Sequence, residues 1–344
     1  MALEPTILNE ERIADLLRTH YGMTCTGASR LPLGSANCYR VTDGEECYFL
    51  KEFQSDFSAD DLVREAGVVD YLASRGIPVA RFLPTAQGEW LVRYEGRLIA
   101  LSEYVQGITY GYDNMPPHRL HDLAAMLGCL HATLRDYPLP LDMGREWLDA
   151  YSADETAKAY DDLLTTVAAR TDDPNTPQIV ADLTFKRELA YRLTDYKRYY
   201  DGVTYVATHG DYQGCQMIWQ EDGIRAVIDF SSARKLPAVW EIMRSFVQSD
   251  ENCRRYAKID LDALCDYVQT YQQHFSLTRT DLSAMPYVYL FQLARSRYGY
   301  PQYLDGKSED ANALLQFAAW RTAMCREVEG RAQEITAALL RTER

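Results

Sequence analysis

An α+β fold in two parts, strands first and helices after, is what this 344-residue sequence predicts. Three observations lead there. Before about residue 107, apolar residues alternate in short runs broken by Gly-containing turns; from about residue 118 they recur every three to four positions. A strand–turn–strand segment, residues 203–230, interrupts the helical half. The expected division is a β-sheet part with one helix over residues 1–106 and a helical part over 107–344.

In chain order, Asn9 can cap a helix that carries Ile13, Leu16 and Leu17. Residues 31–40 (LPLGSANCYR) and 47–53 read as strands around the Asp43-Gly44 turn. Ser58 and Asp61 approximate a capping box ahead of Leu62, Ala66, Val69 and Leu72, a helical stripe that stops at Gly76 before Pro78. Residues 89–94 and 98–104 read as strands joined at Glu95-Gly96, and the run ends in EYVQG at Gly107. Then Leu120, Leu123, Leu127, Leu130 and Leu134 form one helical face. Further helical patterns cover roughly 154–169, 186–200, 261–275, 286–297 and 310–340. Within the interrupting segment, strands are expected at 203–207, 217–219 and 224–230, the last two across Glu221-Asp222-Gly223, which brings Gln216 close to Asp229.

Composition narrows the function. Hydrophobic residues at 47% and charged ones at 25% are ordinary for a globular protein with a sizeable core. A net charge of -14 disfavours binding to a phosphate backbone, so no nucleic acid partner is expected, and it would attract cationic small molecules. The 8 cysteines form no CxxC pair and no zinc spacing, which fits reduced thiols in a cytoplasm. The start, MALEPTILNEER, is acidic and lacks the apolar core of a secretory signal. The apolar stretch 123–134 falls short of the roughly 20 residues that span a bilayer, so it is read as a buried helix and no membrane partner is expected. The oligomeric state is left open.

Two segments carry the chemistry: THGDYQGCQMIW, residues 208–219, and VIDFSSA, residues 227–233. A carboxylate at Asp211 could accept the proton of an attacking hydroxyl. Asp229 ends an apolar strand, where a carboxylate is costly unless paired or bound to a metal. No GxxxxGK[ST] string is present, so a P-loop fold is not supported. Together the segments resemble the aminoglycoside phosphotransferase and choline kinase family, whose pattern is HGDxxxxN followed by IDFxxA. His209, Gly210, Asp211, Ile228, Asp229, Phe230 and Ala233 match; Gln216 stands where the family has asparagine, and Gln213 where it often has histidine.

The resemblance implies a two-lobed protein-kinase-like fold, with a small β-rich N-lobe and a larger helical C-lobe, and ATP-dependent phosphorylation of a small-molecule hydroxyl. It makes Asp211 the catalytic base and gives Mg²⁺ to Asp229 and Gln216, whose extra methylene lengthens the reach of the amide oxygen. It assigns the ATP phosphates to Lys51, steadied by Glu65, with Asp61 as second choice, and to a turn containing Gly34, Ser35 and Asn37. The adenine would meet the Glu103 carbonyl and the Val105 amide. His131 is expected as a buried histidine hydrogen-bonded to the backbone, His209 as a support of the Asp211 turn, and Glu241 with Arg244 as a local helical ion pair. The strings HRD, DFG and APE of protein kinases are missing.

For the acceptor, the net charge suggests a cationic amine or amino sugar, and Tyr287, Tyr289, Phe291, Tyr298, Tyr300 and Tyr303 could wall a cation or simply fill a tyrosine-rich core. A nucleotide-binding pseudokinase without turnover is the alternative that Gln216 keeps open.

Overall fold

The computed structural model describes residues 3–32, 36–308 and 310–343. The chain divides into two compact units, residues 1–109 with 216–233, and residues 110–215 with 234–344. Residues 216–233, expected with the helical part, therefore make their contacts in the strand-rich unit.

The first unit is built on a five-stranded antiparallel sheet, β1 (Gly27–Leu31), β2 (Asn37–Asp43), β3 (Glu46–Glu52), β4 (Val92–Tyr94) and β5 (Arg97–Glu103), in the order β1-β2-β3-β5-β4. Alternation assigns its faces. Leu50 lies opposite Leu101 and shares a core with Tyr39, Val41 and Ile99, closed by Ile13, Leu16 and Leu17 of the N-terminal helix α1 (Glu10–Leu16) and the turn after it. The other face carries Lys51 opposite Ala100; there Leu98, Ala100 and Phe53 pack against Leu62 of α2 (Ala59–Ala73). Burying each of these aliphatic side chains contributes roughly 1.5–3 kcal/mol.

Local chemistry explains the turns. Asn9 caps α1 by accepting the Arg12 amide at 2.9 Å. Glu95 and Gly96 both take positive φ, 45° and 83°, as a tight two-residue hairpin requires. The capping box expected at Ser58 does not form: Ser58 is the N-cap of α2 but its side chain makes no capping bond, and Asp61 pairs with Arg64 instead.

The first unit also holds a small hairpin, in which Met217 and Ile218 lie opposite Val227 and Ala226. Val227 bridges to Val79, and Trp219 to Ile108. Its second strand stops at Val227 rather than Phe230, because Asp229 turns left-handed (φ 64, ψ 65) into a 3-10 turn over Phe230–Ser232.

In the second unit a two-stranded sheet pairs β6 (Tyr205–Thr208) with β9 (Arg234–Pro237), the hairpin strands being β7 (Met217–Gln220) and β8 (Gly223–Val227). The rest is helical: α3 (Arg119–Leu134), α4 (Asp142–Asp149), α5 (Ala153–Ala168), α6 (Thr176–Tyr196), α7 (Ala238–Ser249), α8 (Glu251–Tyr256), α9 (Leu261–Tyr271), α10 (Arg279–Arg295), α11 (Tyr300–Asp305) and α12 (Ala311–Leu339). The expected stripe on α3 is buried at Leu123, Leu127, Leu130 and Leu134. Helix α10 begins seven residues before Pro286, because Thr278 and Asp281 form a reciprocal capping box that starts it there. No helix among the described residues is long and apolar enough to cross a membrane.

Candidate active site

In the first unit the hairpin does what its spacing requires. The Ile228 amide donates to the Gln216 carbonyl at 3.0 Å, one step beyond the last ladder pair, so Gln216 lies across from Ile228 and beside Asp229. Asp229 Oδ1 accepts from Ser231 Oγ at 2.8 Å. Its left-handed backbone is a conformation that aspartate tolerates better than most residues and that turns a carboxylate out of the strand. An amide oxygen and a carboxylate oxygen are the hard donors that Mg²⁺ prefers, so this pair fits that ion in chemistry. Among the described residues no cluster of three His, Cys, Asp or Glu offers another metal site.

Lys51 and Glu65 occupy the sheet face that α2 covers. Lys51 Nζ sits 4.9 Å from the centroid of the Phe53 ring, and no direct ion pair joins it to Glu65. Glu65 is buried, and its Oε2 has no hydrogen-bond partner among the described residues. Burial, reinforced by the charge of Asp229, pushes the Glu65 carboxyl up to about 7; the attraction of Lys51, the Phe230 amide and Arg64 oppose this and lose.

The nucleotide-binding candidates divide. The Val105 amide makes no hydrogen bond among the described residues, as a donor reserved for a purine edge would. Glu103 ends β5, and its carboxylate is taken by the Arg81 side chain. Gly34 and Ser35 lie outside the described residues. Asn37 follows them, but its side chain is already committed: Oδ1 accepts from Arg30 at 2.7 Å and Nδ2 donates to the Glu4 carbonyl at 3.2 Å.

In the second unit Asp211 sits in the turn after β6, and a carboxylate on α7 governs that turn. Glu241, fully buried, accepts the backbone amides of His209 at 3.0 Å and Gly210 at 2.5 Å and the Nε2 proton of His131 at 2.9 Å. Burial alone would raise its pKa, but the hydrogen bond and charge of His131, with His209 and the Gly210 amide, outweigh it and hold the carboxyl below its ordinary value. Tyr271 hydroxyl, 2.7 Å from His131 Nδ1, completes that ring's bonding. His209 Nδ1 in turn accepts the Asp211 amide at 3.2 Å. Both histidines thus hold the turn together, His209 within it as expected, whereas His131 bonds the side chains of Glu241 and Tyr271 rather than the backbone.

The expected Glu241–Arg244 pair is replaced by better partners. Arg244 forms its ion pair with Asp211 Oδ1, while Gln213 Nε2 donates to Asp211 Oδ2 at 3.3 Å. The catalytic candidate is therefore gripped at its amide and at both carboxylate oxygens. Glu241 and Arg244 are the functional residues that local reasoning missed. A signal existed: a glutamate inside the apolar run VWEIMRSF must find buried donors or it would not be tolerated.

The aromatic wall does not form. Tyr289, Phe291 and Tyr300 are buried, Tyr287 stacks on Tyr199 with centroids 3.8 Å apart, and Tyr303 bonds to Asp173. Of the six, only Tyr298 is an exposed large ring. Beside the Asp211 turn, a concavity of about 200 Å³ is lined by Tyr112, Asp113, Met115, Ser249, Glu251 and Arg254, with Ser249 Oγ accepting the Gly214 amide at 3.2 Å.

The comparisons bear on the family and the fold. The model of the phosphotransferase enzyme family matches residues 27–275. The chain belongs to that family. A spectinomycin phosphotransferase solved with ADP and spectinomycin superposes with a TM-score of 0.64 at 14% identity, over 96% of this chain and 100% of its own. An ethanolamine kinase of Plasmodium vivax gives 0.59 at 11% identity, over 97% and 93%. A choline kinase of Streptococcus pneumoniae gives 0.51 at 14%, over 91% and 98%. At such identities the likeness shows the shared protein-kinase-like fold. No curated protein matches. The phosphotransferase assignment accounts for the two motifs together.

Two outcomes are expected. Folding raises the Glu65 pKa from 4.5 to about 7, so the folded state retains a proton that the unfolded chain releases, and stability falls as pH rises across that window. The penalty above it is roughly 3 kcal/mol, at 1.36 kcal/mol per unit. In the protein without nucleotide, Glu65→Gln should raise the urea midpoint at pH 8 and leave it nearly unchanged at pH 4.5; an equal gain at both would contradict the buried-acid account. Glu241→Ala strips one buried ring donor and two amides of their acceptor and should cost about 3–5 kcal/mol in denaturant unfolding, with Glu241→Gln losing less. A loss under about 1 kcal/mol for the alanine variant would remove Glu241 from its central place.

Proposed function

We propose that this phosphotransferase moves the γ-phosphoryl group of ATP to a hydroxyl of a small molecule. The observation that carries the reading is Asp211, held at its amide by His209 and at its carboxylate by Arg244 and Gln213 in a turn fixed by Glu241. Phosphoryl transfer asks little covalent chemistry of a protein and depends on positioning. A carboxylate clamped in this way can orient one hydroxyl and take its proton as the oxygen–phosphorus bond forms and the bond to the β-phosphate oxygen breaks, releasing ADP. Gln216 and Asp229 would hold Mg²⁺, which when bound supplies positive charge against the phosphates. Lys51 would neutralise phosphate oxygens, with Glu65 ionising in response once it has a partner, and the Val105 amide would donate to the adenine. The spectinomycin and choline enzymes, among the similar structures, act on hydroxylated small molecules.

Gln216 favours one second reading, a nucleotide binder without turnover, since the longer side chain must fold back to reach an octahedral ion at about 2.0–2.1 Å. Release of ADP with any alcohol acceptor decides between them. If the kinase reading holds, Asp211→Asn should lower turnover by about 10²–10⁴ while ATP binding measured by calorimetry stays within a few-fold. Loss of ATP binding in that variant would assign Asp211 a structural role instead. Gln216→Asn should match or strengthen the Mg²⁺ dependence of ATP binding, and Gln216→Ala should weaken it; identical titrations for all three proteins would withdraw Gln216 as a ligand.

A further inference from the structure

The concavity of about 200 Å³ in the second unit has no part in the chemistry described so far. Segment 112–117, Ser249 at the end of α7 and three residues of α8 line it. Short contacts tie it to the Asp211 turn. Ser249 Oγ accepts the Gly214 amide at 3.2 Å, and the Met115 thioether lies where a Cβ on residue 214 would have to sit, so glycine there lets the lining touch the turn. Gln213, the residue before it, donates to the Asp211 carboxylate at 3.3 Å. Arg244, which pairs with the other carboxylate oxygen, precedes Ser249 by five positions on α7, roughly 7.5 Å along the axis at about 1.5 Å per residue.

The charges that line the cavity are matched among themselves. Arg254 pairs with Asp113 at 3.1 Å and Arg255 with Glu251 at 3.1 Å, so neither sign is in excess and a charged occupant gains no net field. What is unmatched is a donor. The Arg254 side chain is only 10% exposed; its Nε donates to the Tyr112 carbonyl at 3.3 Å, and its guanidinium lies over the Trp320 ring at 4.4 Å. That indole is itself fixed by donating to the Cys253 carbonyl at 2.7 Å. Arg254 Nη1 is buried and has no acceptor among the described residues. A buried N–H without an acceptor is costly and rare, and an oxygen brought into the cavity would satisfy it.

The rest of the lining is apolar or neutral, with the half-exposed Tyr112 ring and the Met115 thioether beside Arg254. A concave, largely apolar lining with few polar groups is the make-up of a small-molecule site, and the volume falls below the roughly 300–1,000 Å³ that takes a drug-sized ligand. We propose that this cavity seats the acceptor and that the acceptor is an uncharged polyhydroxylated ring, a single sugar or a cyclitol, with its C–H face on Tyr112 and Met115 and an oxygen accepting from Arg254 Nη1. The proposal rests on the kinase reading: one ring hydroxyl gives its proton to Asp211 as its oxygen takes the γ-phosphoryl group and ADP leaves. It departs from the cationic amine suggested by the net charge of -14. Charge spread over a surface is screened within about 8–10 Å, whereas the lining residues meet the occupant directly.

The test gives the full chain MgATP and follows ADP release with methyl glucoside, methyl galactoside, methyl mannoside, myo-inositol, maltotriose, ethanolamine and glycerate; binding of the same compounds without nucleotide is read by saturation-transfer NMR. At least one single-ring compound should exceed ethanolamine, glycerate and maltotriose in kcat/KM by about ten-fold or more, with inositol against the glycosides telling cyclitol from sugar. Asn114 is exposed and belongs to the lining, so Asn114→Trp fills the cavity without disturbing the core. That variant should melt near the parent temperature and bind ATP as the parent does, while the ring compound loses its NMR signal and rises about ten-fold or more in KM. Arg254→Lys keeps a charge opposite Asp113 but loses the planar fork, so the ring KM should rise several-fold with kcat near that of the parent. A purely structural Arg254 would lower the melting temperature and leave KM alone. No binding by any single ring, ethanolamine or glycerate turning over as well as the best ring, maltotriose matching it, or a ring KM unmoved in either variant would each overturn the proposal. Ring binding that Asn114→Trp abolishes, with no ADP release by any compound, would keep the site and remove the kinase reading. ADP release with ethanolamine that Asn114→Trp leaves intact, with no ring bound, would do the reverse.

Discussion

A single buried carboxylate, Glu241, holds the turn that carries Asp211 in shape. It collects two consecutive backbone amides, from His209 and Gly210, and the ring proton of His131 on a helix 110 residues away in sequence. Each of those donors would otherwise be stranded without water, so the turn, α3 and α7 have one arrangement in which all are satisfied. Gly210 adopts φ 83, which lets two successive amides face the same acceptor. From that fixed turn, Asp211 projects to Arg244, three residues further along the helix that carries Glu241. The same helix thus sets the turn's backbone with an anion and its side chain with a cation.

The two units use buried charge in opposite ways. Glu241 is surrounded by donors and pays little for its ionised form, whereas Glu65 has too few and holds its proton to near neutrality. The first arrangement is finished and rigid. The second is unfinished, with one carboxylate oxygen buried and unpartnered among the described residues.

Much of the fold was legible in the sequence because the signals are local. Alternation in YFLKEF placed Leu50 and Lys51 on opposite faces, and the 3.6 period found the buried stripe of α3. The adjacency of Gln216 and Asp229 was equally legible, since a short hairpin fixes its own register. Helix starts were less so. Pro286 suggests a first turn, yet the reciprocal bonds of Thr278 and Asp281 start α10 earlier and carry it through the proline. What local pattern cannot encode is the partner of a charged side chain across sequence distance. Arg244 has Glu241 three positions away, yet it pairs with Asp211, 33 residues off in sequence, while Glu241 is taken by backbone amides and a histidine.

The return of residues 216–233 to the strand-rich unit has a consequence for how this molecule is made. A ribosome delivers residues 1–109 first, but that stretch still lacks the hairpin whose Val227 pairs with Val79 and whose Trp219 exchanges backbone bonds with Ile108. The N-terminal unit cannot finish folding in the usual vectorial order. It must wait, incomplete, until translation has passed residue 233, by which point α3 to α6 have already emerged.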